Sequence, residues 1–249
     1  MYNDIGIGYT RVRRPDPRIA ASIRVAIGSA QTVVNVGAGT GSYEPTDVSV
    51  VAVEPSEVMI GQRAGDSAPA VAAIAEHLPF ADLCFDVGTA FLTVHHWIDA
   101  AAGLAELNRV SRRQVILTWD RSVIAERFWF ARDYFPESVE LDRTLTCLDT
   151  ILGIVGPTAY RTKVDTVPVP ADCTDGFYAA YWARPEAYLD PVVRAGISAL
   201  SLSNQRDVGQ AVGRLAADLQ SGAWDRRYGH LRGFEALDLG YRLVIIDAR

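Results

Sequence analysis

The chain has 249 residues and a formal net charge of −6, with 24 Lys and Arg against 30 Asp and Glu. That length suits one α/β core with insertions, and an acidic chain without a Lys/Arg run excludes a protein built to grip nucleic-acid phosphates. The odd, widely spaced cysteines Cys84, Cys147 and Cys173 exclude a disulfide framework or zinc knuckle, and no apolar stretch approaches the ~20 residues of a membrane helix.

Arginine supplies almost all the positive charge, Lys163 being the only lysine, a bias expected of GC-rich bacterial coding. The opening Tyr2-Asn3-Asp4 resembles no signal peptide. The chain is therefore read as cytoplasmic and soluble, with no nucleic-acid or membrane partner and no metal.

In chain order, Asp16-Pro17 marks a helix start, with Asp to cap the free N–H groups and Pro suited to the first turn. Ile19, Ile23 and Ile27 then recur every four residues, and Gly28 ends the helix. Thr32 to Val36 is a short β-branched strand that stops at a glycine loop. Ser49 to Val53 is a second strand ending at Glu54, followed by a helical segment, Val58 to Gln62. Val71 to Ala75 is expected as a third strand and Phe85 to Phe91 as a fourth, leading into His95-His96-Trp97. Asp99 caps a helix with Leu104, Leu107 and Val110 on one face, and Gln114 to Trp119 is a fifth strand. This alternation predicts a parallel sheet wound by right-handed crossovers.

Beyond Asp120 the pattern changes. Residues 121–160 are rich in aromatics. Thr162 to Val169 alternates as an edge strand, with Pro168 and Pro170 at its end. Residues 171–235 read as a mostly helical insertion, with starts at Asp190-Pro191 and at the capping-box pattern Asp207-Val208-Gly209-Gln210. Tyr241 to Ile246 is a terminal strand.

Strand, glycine loop and helix together form a geometry for a nucleotide-like ligand, because glycines let the backbone N–H groups approach it. Glu54, at the end of the next strand, can accept both ribose hydroxyls. The loop reads Gly37-x-Gly39-x-Gly41 with Ser42 in the last slot, one residue shorter than the dinucleotide fingerprint G-x-G-x-x-G. That spacing favours S-adenosylmethionine over NAD.

Residues 33–43, Val-Val-Asn-Val-Gly-Ala-Gly-Thr-Gly-Ser-Tyr, resemble motif I of the class I, Rossmann-like methyltransferases. Val51-Ala52-Val53-Glu54-Pro55-Ser56 is similar to their second motif. Ala75-Glu76-His77-Leu78-Pro79-Phe80 with Phe85-Asp86 resembles the AExLPF…FD signature of the type-11 group, which His95-His96-Trp97 and residues 104–110 also match. The resemblance covers roughly residues 30–120. It implies an α/β fold with a seven-stranded, mostly parallel sheet, helices on both faces, and a last strand that runs antiparallel beside the sixth. One methyltransferase domain is expected over 1–249: an N-terminal lid and helix (1–30), a cofactor core (31–120), substrate-covering segments (121–240) and the terminal strand (241–247).

The resemblance implies S-adenosyl-L-methionine as cofactor. Gly37, Ala38, Gly39, Thr40 and Gly41 would approach its methionine part, with Tyr43 packed alongside. Glu54 would bind the ribose; Pro55, Ser56 and Met59 would line the adenine side, with Ala75 and Glu76 in contact with adenine. Thr89 and Ala90, at the end of the fourth strand, would lie beside the sulfonium. Two positions depart from the family: Asn35 and Ile74 stand where relatives carry acidic residues. His96 and His95 are the candidate catalytic residues, able to take a proton from a substrate hydroxyl or amine; a structural role is the alternative. Tyr9 and Arg14 are expected to fold over the cofactor, Arg14 pairing with its carboxylate or lying on a solvated basic face. The aromatics at 128–135, with Tyr178, Tyr181 and Trp182, suggest a flat apolar substrate or a plain core. The expected activity is methylation of an O, N or C atom of a small metabolite. The competing readings are a non-methylating binding module or cyclase on the same fold and an NAD-dependent oxidoreductase.

Overall fold

The computed structural model describes residues 13–142, 144–156 and 161–247. A seven-stranded sheet runs through its centre in the order β3-β2-β1-β4-β5-β9-β6. Its strands are β1 (Thr32–Val36), β2 (Ser49–Val53), β3 (Ala70–Val71), β4 (Phe85–Phe91), β5 (Ser111–Trp119), β6 (Arg161–Thr166) and β9 (Tyr241–Asp247). β1 to β5 pair in parallel, and β9 runs antiparallel between β5 and β6, as the family resemblance implies.

Strand alternation divides the core in two. Val33, Val115, Leu117, Leu243 and Ile245 face one layer; Val34, Ile116, Val244 and Ile246 face the other. The first layer receives helix α1 (Pro17–Ile27), capped by the Asp16 carboxylate accepting from the Arg18 N–H at 3.0 Å. Ile19, Ile23 and Ile27 on α1 are buried. The second layer receives the helix Ala100–Val110, whose Leu104, Leu107 and Val110 are buried and whose cap is Asp99 accepting from Ala102. The helix Leu148–Val155 packs into the same layer through Ile151.

Four expectations change. No helix follows the glycine loop: residues 37–48 form turns, and Tyr43 adopts a left-handed φ of 64° that no helix accommodates. The third strand covers only Ala70–Val71, because residues 73–75 leave the sheet to line a cleft. The expected strand 162–169 breaks at Val167-Pro168. Val169–Pro170 then becomes β7, which pairs with β8 (Ala236–Leu237) in a separate two-stranded ladder. The long insertion helix spans Gln205–Ser221, so Asp207 lies in its first turn and Asn204 is its cap.

The aromatic segment turns inward. Phe130 stacks on Tyr188 with ring centroids 4.6 Å apart and an interplanar angle of 9°. The Trp129 indole donates to the Trp182 carbonyl at 2.9 Å, and the Trp182 indole to the Val169 carbonyl at 3.0 Å. These side chains build a core within residues 121–235, not a surface for a flat ligand. Phe130→Ala is expected to cost roughly 3–5 kcal/mol of stability, measured by chemical denaturation; a loss below about 1 kcal/mol would place this ring outside the core.

Candidate donor and acceptor site

Parallel pairing brings the C-terminal ends of β1, β2 and β4 to one edge, where α/β sheets hold their ligands. A cleft of about 300 Å³ lies there, walled by residues between Arg13 and Ile98. Among the described residues no side chain from 121–247 lines it.

The glycine loop is held down by its neighbour strand. The Gly37 and Ala38 N–H groups both donate to the Val53 carbonyl, at 2.8 and 3.0 Å. The Gly39 N–H donates to the Glu54 carboxylate at 2.9 Å, and the other Glu54 oxygen accepts from the Ser56 N–H at 2.9 Å. Those loop N–H groups are therefore satisfied within the protein, contrary to the expectation that they point at the ligand. What the glycines supply is clearance. Gly37 has φ 71°, and a Cβ there would lie 2.1 Å from the Thr93 hydroxyl. Each Glu54 oxygen has a further lone pair, and Glu54 lines the cleft.

Beneath the loop a buried ion pair replaces the missing helix. Arg63 donates to the Glu44 carboxylate at 2.7 Å, to the Ala68 carbonyl at 3.0 Å and to the Gly39 carbonyl at 3.2 Å. Asn35 donates to the other Glu44 oxygen at 3.1 Å, and its own oxygen accepts from Thr89 at 3.2 Å. A carboxylate absent from position 35 is thus present one hydrogen bond away, on Glu44.

The cleft gathers Gly37, Ala38, Gly39, Thr40, Glu54, Pro55, Met59, Ala75, Glu76 and His96. It leaves out several expected residues. Thr89 and Ala90 are fully buried in the sheet, where Thr89 orients Asn35 and Ala90 packs in the core. Tyr43 is buried behind the loop, its hydroxyl donating to Asp175 at 2.8 Å. Gly41 lies over the Glu44–Arg63 pair instead of on the wall. Arg14 is exposed, and its neighbour Arg13 takes the place on the wall. Tyr9 lies outside the described residues. Position 74, where the acidic residue is missing, lines the cleft as an isoleucine.

At the β4 end, His96 lines the cleft while His95 sits behind it. Their ring centroids are 3.7 Å apart, and His95 meets Trp119 edge-on at 4.8 Å. Burial, with the Arg13 charge nearby, lowers His96 to about 4. Burial and His96 push His95 well below its ordinary value. Both imidazoles are neutral at pH 7. Trp97 completes this end: its ring lies on the helix 100–110 at Gly103, where a Cβ would come within 2.4 Å of it.

Sequence comparison agrees with this geometry. Residues 34–118 match the family described as Methyltransferase domain. The crystal structure of a protein from Anabaena variabilis ATCC 29413, assigned as a methyltransferase from an antibiotic biosynthesis pathway, is 34% identical. It superposes with a TM-score of 0.87 over 95% of this chain and 99% of that one. The chain belongs to the S-adenosylmethionine-dependent methyltransferases. YafE of Escherichia coli (strain K12) is 38% identical over 88 residues, 35% of this chain and 39% of that protein, so the match spans about two fifths of that curated relative's length. The plantazolicin methyltransferase BpumL, solved with SAH, shares the fold at 12% identity and a TM-score of 0.54, over 99% of this chain and 90% of its own.

The residues present fit the donor. Tight glycines, the Glu54 carboxylate, an apolar side at Pro55 and Met59, and the Arg13 guanidinium lie along one cleft. These suit, in turn, a close-packed chain, a diol, a purine and a carboxylate. Among the described residues no helix is long and apolar enough to cross a membrane. Gly37→Ala combines a left-handed φ with a clash. It is expected to cost about 1–3 kcal/mol in strain and to weaken S-adenosylhomocysteine binding at least tenfold by calorimetry; unchanged affinity would remove the close approach at Gly37 from the binding account.

Proposed function

We propose that this methyltransferase methylates an O, N or C atom of a small biosynthetic metabolite. The observation that carries this reading is the cleft itself, about 300 Å³ and walled by residues between Arg13 and Ile98, while the aromatics of 128–135 fill their own core instead of opening a broad groove. The antibiotic-pathway assignment of the Anabaena relative supports the same reading.

The bound donor supplies an electrophilic methyl on a sulfonium, so the chain's task is alignment and exclusion of water. Glu54 holds the ribose, while Pro55 and Met59 flank the adenine. Arg13 pairs with the donor carboxylate, in the role expected of Arg14. His96 receives a hydrogen bond from the acceptor's O–H or N–H and takes its proton as the new bond to carbon forms. As a neutral imidazole on the cleft wall it is ready to accept. His95 backs it from behind.

Glu54→Ala removes two hydrogen bonds to a charged acceptor, each worth roughly 1.5–3 kcal/mol. It is expected to weaken S-adenosylhomocysteine binding roughly 10²- to 10⁴-fold by calorimetry. Unchanged affinity would take Glu54 out of the ribose role.

The small-molecule reading is tested by incubating the enzyme with S-adenosylmethionine and metabolite fractions and following S-adenosylhomocysteine release. Release with peptide or protein fractions alone would overturn it. With an acceptor in hand, His96→Gln is expected to lower turnover by roughly 10²–10⁴ while sparing product affinity. Because protonation disables the base, wild-type kcat/KM should fall as pH drops through about 4, not through the ordinary histidine range. The folded-state value is lowered, so the unfolded chain binds the extra proton first, and stability also declines below the ordinary value of 6.5. An acid limb that persists in His96→Gln would assign it to another group.

A further inference from the structure

Asp175 lies far from the motif residues in sequence and does not line the cleft, yet it is 1% exposed and fully engaged. The Arg13 guanidinium grips it as a fork, Nε to one oxygen at 2.6 Å and Nη2 to the other at 3.3 Å. The backbones of Arg13 and Asp175 also form an antiparallel bridge. The second Asp175 oxygen accepts from the Tyr43 hydroxyl at 2.8 Å. Tyr43 stands at the left-handed bend of the glycine loop, and its ring meets Phe91 on the cleft wall. Further ties hold the same two segments together: the Thr174 N–H donates to Asp16 at 3.1 Å, and Arg18 donates to Asp172 at 2.6 Å.

Three remote pieces of chain thus meet on one buried carboxylate: the segment before α1, the end of the glycine loop, and the start of the insertion 171–235. A planar fork fixes a guanidinium in direction as well as position. Arg13 is only 10% exposed, so removing the Asp175 carboxylate takes a counter-charge from a guanidinium largely out of water. The direction of Arg13 on the wall is therefore set by Asp175.

We propose that Asp175 is a positioning residue for the amino-acid end of the methyl donor, acting through Arg13. This rests on the reading that Arg13 meets the donor carboxylate. Donor affinity is then governed by a side chain that touches no donor atom, and by linkage the donor favours docking of the insertion that carries Asp175.

The test compares S-adenosylhomocysteine with 5′-methylthioadenosine, which lacks the amino-acid end, by calorimetry on the full chain. Asp175→Asn is expected to weaken the first at least tenfold and the second less than twofold. Arg13→Ala should show the same selectivity, and the double variant should lose no more than Arg13→Ala alone, because one residue acts through the other. Equal loss for both ligands, additive losses, or S-adenosylhomocysteine binding within twofold of wild type would overturn the proposal. Asp175→Glu keeps the charge but displaces the carboxylate; if Asp175→Asn does not fold, a folded Asp175→Glu with wild-type selectivity overturns it. Two results fall on the underlying reading instead. Loss of selectivity for Asp175→Asn without any effect of Arg13→Ala removes Arg13 from the carboxylate, and failure of the wild type to bind either ligand removes the donor site.

Discussion

The crossover from β1 to β2 is made without a helix, and the cleft depends on how that crossover is held. A parallel pair needs a long connection, usually helical; here residues 37–48 are turns. A helix would satisfy its own backbone and offer a positive N-terminus to a ligand. This loop instead satisfies its first three N–H groups on the Val53 carbonyl and the Glu54 carboxylate. Glu54 thereby has two duties: it fixes the loop's height above the sheet and presents its remaining lone pairs to the cleft. The Glu44–Arg63 pair, with both side chains under 10% exposed, braces the loop from below. Removing one member of such a pair strands the other charge.

The same economy governs the β4 end. Thr93 fills the space that Gly37 vacates, so loop and strand interlock at one contact. Trp97 fills the space that Gly103 vacates on the helix behind it. Two glycines far apart in sequence therefore set where Thr93 and Trp97, on either side of His96, stand. Burial and the Arg13 charge hold His95 and His96 in the neutral form.

Much of the site was legible because its chemistry is local in sequence. The loop Gly37 to Gly41, Glu54 at a strand end, and Ala75 to Phe80 lie on consecutive elements, so register alone brings them together. The strand runs were legible from β-branched residues, and α1 from the four-residue spacing of Ile19, Ile23 and Ile27. What escaped was long-range. Nothing near Arg13 distinguishes it from Arg14; Asp175, 162 residues away, chooses between them. Tyr43 was expected against the cofactor, but its left-handed φ turns the ring toward the same aspartate. The aromatic run 128–135 carries no sign of facing inward, because a ring that lines a ligand and a ring that fills a core share one composition. Thr89 and Ala90 stand near the end of their strand, but alternation sends them to opposite faces of a sheet covered on both sides, so both are buried.

β9 enters the sheet between β5 and β6, strands from which it is separated by more than 70 residues of intervening chain. Until Tyr241 to Asp247 emerges from the ribosome, β5 and β6 each present a bare edge. β5 is rich in apolar side chains and thus the kind of edge that recruits stray strands. Closing the sheet is consequently a late, non-local event in synthesis.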